Sequence, residues 1–125
     1  MLICDECNNY KNDCICTGIR PHFQHLVEID DRLVDIILML NKKGYSTRFC
    51  CQGHVNDFML QLHIMFWKDH KFKVIPDGFK FITNDSVNEL LCLIKAKDWN
   101  KLTHDERLLI IDERINALIE WAYQL

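Results

Sequence analysis

Phe58-Met59-Leu60-Gln61-Leu62-His63-Ile64-Met65-Phe66-Trp67 is the stretch on which the fold reading turns. Successive side chains of a strand point to opposite faces, so apolar groups at every second residue mark a strand with one buried side. Phe58, Leu60, Leu62, Ile64 and Phe66 share one face, and Met59, Gln61, His63, Met65 and Trp67 share the other. The spacing predicts a strand over 58–67 that rests on a core.

On the N-terminal side stands Gly44-Tyr45-Ser46-Thr47-Arg48-Phe49-Cys50-Cys51-Gln52-Gly53-His54. It predicts a strand over 45–50 and a sharp turn at Gly53. A helix over 29–43 precedes it, with Ile29, Leu33, Ile36, Ile37 and Leu40 at helical spacing. Asp30 or Asp31 caps its start, where a carboxylate suits the exposed N–H groups and the dipole, and Gly44 supplies a left-handed stop.

On the C-terminal side, Phe72-Lys73-Val74-Ile75 and Phe79-Lys80-Phe81-Ile82 flank Pro76-Asp77-Gly78. Proline fixes φ and glycine takes positive φ, so the pattern predicts a hairpin and a meander of three or four antiparallel strands. Ser86-Val87-Asn88-Glu89 has capping-box spacing and predicts a helix to about Lys97, with Val87, Leu90, Leu91 and Ile94 apolar and Cys92 in the core. Thr103-His104-Asp105-Glu106 is a second capping box, opening a helix to Tyr123 with Leu108, Ile111, Ile115, Leu118 and Ala122 along one stripe. The expected class is α+β: one small antiparallel sheet of three or four strands covered by helices.

A chain of 125 residues suits a single domain. Its expected parts are a cysteine-rich segment (1–20), a helix, meander and helix (21–100) and a C-terminal helix (101–125). No apolar run nears the ~20 residues of a membrane span. The first residues, Met1-Leu2-Ile3-Cys4-Asp5-Glu6, carry neither a basic start nor an apolar stretch of signal length. A cytoplasmic protein without a membrane partner is expected. A net charge of −3 argues against a nonspecific basic nucleic-acid binder and suits basic protein surfaces.

Seven cysteines, an odd number in a reducing compartment, favour metal ligation over disulfides. Cys4-x-x-Cys7 followed by Cys14-x-Cys16 predicts tetrahedral Zn²⁺ held by four thiolates. Such a site has no open position for water, so its role would be structural. Cys50, Cys51 and His54 have three readings. They are further metal ligands, joined by His22, His25 or His63; or a cysteine nucleophile with His54 as base; or one buried and one exposed thiol beside a turn histidine. Lys71, Lys73 and Lys80, interleaved with aromatics, and Arg48 are candidate nucleic-acid or anion contacts. Leu109, Ile110, Trp121 and Tyr123 flank the stripe of the last helix, which points to a homodimer or a partner groove.

Gly44-Tyr45-x-Thr47-x-x-Cys50-Cys51-x-Gly53-His54, after a Leu-Asn-Lys-Lys helix end and the Cys4-x-x-Cys7 knuckle, resembles small zinc-binding proteins of bacteria, phages and mobile elements. The likeness extends to the C-terminal helix ending Glu120-Trp121-Ala122. It implies a mobile-element context, in which small acidic proteins inhibit host defence systems, as anti-CRISPR proteins do. The helix, strand and cysteine–glycine turn are also similar to the tRNA wybutosine methyltransferase family. There a serine-rich strand precedes Cys-x-Gly-Arg; here Phe49-Cys50 stands in place of serines and His54 in place of arginine. The expectation is a noncatalytic zinc protein that binds a protein or protein–RNA partner. The alternative is a nucleic-acid or nucleotide binder, extending to an RNA-modifying enzyme that uses the Cys50–His54 turn.

Overall fold

The computed structural model describes residues 2–4, 26–28, 30–51 and 53–125, with 2–4, 26–28, 49 and 51 described by backbone alone. The Cys4 backbone lies in β1 (Leu2–Cys4), which pairs antiparallel with β2 (Leu26–Glu28). After a 3₁₀ turn at Asp31–Leu33 come α1 (Val34–Lys42), β3 (Thr47–Cys51) and β4 (Leu60–Phe66). β5 (Lys80–Thr83), β6 (Asn88–Ile94), the short α2 (Ala96–Trp99) and the long α3 (His104–Gln124) follow. The four strands β3 to β6 form an antiparallel sheet in the order β3-β4-β6-β5. The α+β class is therefore present, with four strands.

β4 sits as its alternation requires. Leu60, Leu62, Ile64 and Phe66 are buried, and each fully buried side chain of this size contributes roughly 1.5–3 kcal/mol of transfer free energy. Against them pack Leu33, Ile36, Ile37 and Leu40 of the first helical segment and Ile111, Ile115, Leu118 and Trp121 of α3. The strand begins at Leu60, so Phe58 falls outside the ladder and is exposed. Neither acidic residue caps α1 with its side chain. Asp30 precedes the 3₁₀ turn without a side-chain cap bond, and Leu33 is the residue before α1. Gly44 ends the helix at φ +93°.

Two expected elements are corrected. The segment 72–75 is not a strand; the Val74 carbonyl instead accepts from Trp121 Nε1 at 2.7 Å. The Pro76–Gly78 turn does form, with Phe79 N–H donating to Pro76 O at 3.1 Å, but it is no hairpin, because β5 pairs with β6. The second correction is larger: the expected helix from Ser86 is strand β6. Asn84 Oδ1 accepts from the N–H groups of Ser86 (2.8 Å) and Val87 (2.9 Å), and Asn84 N–H donates to Val87 O at 2.9 Å. That turn takes the place of a helix cap. β6 then pairs with β4 on one side and β5 on the other, burying Leu90 and Cys92. Cys92 is in the core as expected, but on a strand.

The second capping box forms. Glu106 N–H donates to Thr103 Oγ1 at 3.2 Å and Thr103 N–H to Glu106 Oε1 at 3.0 Å. Those bonds hold the Glu106 carboxyl below the usual carboxylate range. At the other end of α3, Lys43 Nζ donates to the carbonyls of Ala122 (2.7 Å), Tyr123 (2.9 Å) and Leu125 (3.2 Å). A cation there satisfies terminal carbonyls and the negative end of the dipole. Together with Arg32 Nη1–Asp112 Oδ1 at 2.6 Å, it ties the first helical segment to α3. No helix among the described residues is long and apolar enough to cross a membrane.

Candidate functional site

The Gly53–His54 turn follows directly from β3. Cys50 stands opposite Ile64 and Cys51 opposite His63 in the ladder. Cys50 is half-buried and packs against the core. Gly53 has φ +78°, and a Cβ there would meet Leu60 Cδ1 at 2.6 Å. Glycine is thus required twice, by backbone conformation and by space. The His54 side chain is 51% exposed, with Nε2 4.0 Å from Asp30 Oδ2, an ion pair only when the imidazole is protonated.

The loop after His54 is held from outside the motif. Trp99 Nε1 donates to Asp57 O at 3.0 Å and Asn100 Nδ2 to Phe58 O at 3.2 Å. Arg107 donates from Nη1 to Val55 O (3.0 Å) and from Nε to Trp99 O (3.1 Å), with its guanidinium 5.2 Å from the Trp99 ring centroid. Trp99 and Arg107 are the positioning residues of this turn. They are far from it in sequence, and no local pattern around Trp99 or Arg107 points to the turn.

Of the cysteines expected to hold zinc, Cys4 has its backbone in β1 opposite Leu26. Cys7, Cys14 and Cys16 lie outside the described residues, as do His22 and His25. Among the described residues no three of His, Cys, Asp and Glu are grouped to hold a metal ion. His63 Nδ1 is 3.2 Å from Glu89 Oε1, an ion pair only when the imidazole is protonated, and Nδ1 has no hydrogen-bond partner among the described residues.

The second face of the four-stranded sheet carries the other candidate residues. Register places Gln61 opposite Leu93, His63 opposite Leu91, Met65 opposite Glu89, and Ile82 also opposite Glu89. Directly opposed residues share a face. Trp67 is 64% exposed, Leu93 42% and Ile82 38%. The Arg48 guanidinium lies 4.8 Å from the Trp67 ring centroid, a cation–π contact. Lys80, opposite Leu91 on the edge strand β5, is also exposed.

The expected cluster of basic residues is therefore divided. Arg48 and Lys80 belong to strands of the open sheet, whereas Lys71 and Lys73 line a cavity beside the end of α3. On α3, Trp121 and Ile110 pack inward, while Leu109 and Tyr123 are exposed. Comparison with protein-family models, curated proteins and solved structures returns no match for this chain.

Proposed function

We propose a noncatalytic zinc protein that acts by seating a protein partner, or the protein part of a ribonucleoprotein, on the open face of its sheet. The observation that carries this reading is that face itself. Both long helices pack on one side of the sheet, and the other side leaves Trp67, Leu93 and Ile82 exposed with Arg48 stacked on the indole. Tryptophan and arginine are the residues that dominate interface energetics when they are desolvated. Cys4, Cys7, Cys14 and Cys16 supply a four-thiolate zinc site by their spacing. The resemblance to mobile-element proteins, with the net charge of −3, supports an inhibitor of a host defence complex, such as an anti-CRISPR. The exposed Leu109 and Tyr123 of α3 would serve a homodimer.

The test is co-purification of defined host defence complexes with wild type, with Trp67→Ala/Leu93→Glu and with Leu109→Glu. Loss of the complex in the sheet variant alone supports the reading. Retention in the sheet variant, or turnover of a substrate by the purified protein, refutes it. Arg48 over Trp67 favours a second reading, single-stranded nucleic acid on the same face, since bases stack on such platforms. That reading requires salt-sensitive binding weakened by Arg48→Ala and Lys80→Ala.

A further inference from the structure

Beside the C-terminal end of α3, away from the open sheet face, lies a cavity of about 360 Å³. Its wall is formed by Tyr45, His70, Phe72 and Trp121, with Lys71 and Lys73 at its margin. The volume is within the range of small-molecule sites. The rings form one packed array: Phe72 is 5.3 Å from Tyr45 and 5.0 Å from Trp121, centroid to centroid. The bond from Trp121 Nε1 to Val74 O fixes the 72–74 backbone against the helix, so the wall exists before any ligand arrives.

The electrostatics favour an anion. Among the described residues no Asp or Glu lines the cavity, and Lys43 donates to the Ala122, Tyr123 and Leu125 carbonyls beside it. Asp69 is the nearby counter-charge, 3.8 Å from Lys71 Nζ. Its Oδ1 also accepts from Lys71 N–H at 2.8 Å, holding Lys71 at φ +51°. A lysine in the left-handed region is strained, and here the strained residue stands at the cavity margin. Burial and the neighbouring Lys68 lower the pKa of His70, favouring the neutral ring. Its Nε2 is buried without a hydrogen-bond partner among the described residues.

We propose that this cavity binds a nucleobase bearing a phosphate, with the base against the Tyr45–Phe72–Trp121 wall and the phosphate at Lys71 and Lys73. The chemistry is shared by a free mononucleotide and by the terminal nucleotide of a single strand. The site uses none of the residues of the sheet face, so it stands or falls independently of partner binding there.

The four nucleoside 5′-monophosphates and 5′-phosphorylated tetranucleotides of RNA and DNA are titrated into the full chain by calorimetry. Wild type, Lys71→Ala/Lys73→Ala and Leu93→Glu are compared, with circular dichroism confirming the fold of each. Expected is binding by wild type and Leu93→Glu, and about tenfold weaker binding by the double lysine variant, the size of one charge-assisted hydrogen bond. The matching nucleosides, lacking phosphate, should bind wild type about as weakly as the nucleotides bind the double lysine variant. Binding of mononucleotides identifies a free nucleotide as the source, and binding of tetranucleotides alone identifies a strand end. No binding of either by folded wild type, or equal binding by the double lysine variant, overturns the proposal.

Discussion

Gly53→Ala tests whether the turn after β3 is built as described. At φ +78° an alanine incurs the left-handed penalty of roughly 1–2 kcal/mol. Its Cβ would also stand 2.6 Å from Leu60 Cδ1, and Leu60 is fully buried in the core, so it cannot swing away. Overpacking of that kind costs about 1–3 kcal/mol. The total loss is then about 2–5 kcal/mol. Gly44→Ala is the control, because Gly44 has φ +93° but no described atom within 4 Å of its Cβ position. Only the conformational part, about 1–2 kcal/mol, should appear there. Urea unfolding with an m-value of about 2 kcal/mol/M translates these losses into midpoint shifts of about 1–2.5 M and about 0.5–1 M. Leu60→Val removes the clashing methyl, so the pair Gly53→Ala/Leu60→Val should lose less than the sum of its parts. Equal midpoints for the two glycine variants would refute the close approach of Gly53 and Leu60. Strict additivity of the pair would do the same.

Lys43→Met removes the cation from the last carbonyls of α3 and should cost about 1 kcal/mol, with faster amide exchange confined to the last turn; unchanged exchange there counts against the cap. Burial raises the Cys92 thiol pKa above its ordinary value, only partly offset by Arg114. Unfolded thiols therefore ionise first, and stability should fall as pH rises above the unfolded thiol pKa. Iodoacetamide at mildly alkaline pH should leave Cys92 unlabelled until denaturant is added, read by peptide mass spectrometry. Glu106 has the opposite sign: its depressed folded pKa contributes stability above the unfolded carboxyl pKa, lost as pH falls through the folded value. Thr103→Ala should flatten that acid limb of Tm against pH. Native mass spectrometry of protein purified without chelator should find one zinc per chain, abolished by Cys4→Ser/Cys7→Ser. A second ion would bring Cys50, Cys51 and His54 into ligation, and a metal-free chain would remove the zinc reading.

Local chemistry is sufficient where one element controls its own ends and one face. The alternation from Leu60 to Phe66 dictates β4, because burying one side of a strand needs only a period of two. Thr103 and Glu106 likewise dictate the start of α3, and Pro76-Asp77-Gly78 dictates a turn. The segment after Ser86 is not decidable in this way. Leu90, Leu91 and Ile94 satisfy a helical period, while Leu90, Cys92 and Ile94 satisfy a strand period. The free edge of β4 breaks the tie, since an unpaired ladder beside a buried face costs more than a lost capping box. The same non-local choice makes 72–75 irregular: with β6 occupying the place between β4 and β5, those residues cross to Trp121 instead. The Cys50–His54 motif is visible in the sequence, but its supports, Leu60, Trp99 and Arg107, are not. The aromatic cavity is invisible for a stronger reason. Tyr45, the 70–73 segment and Trp121 share no sequence period, and only the docking of α3 on the sheet brings them together.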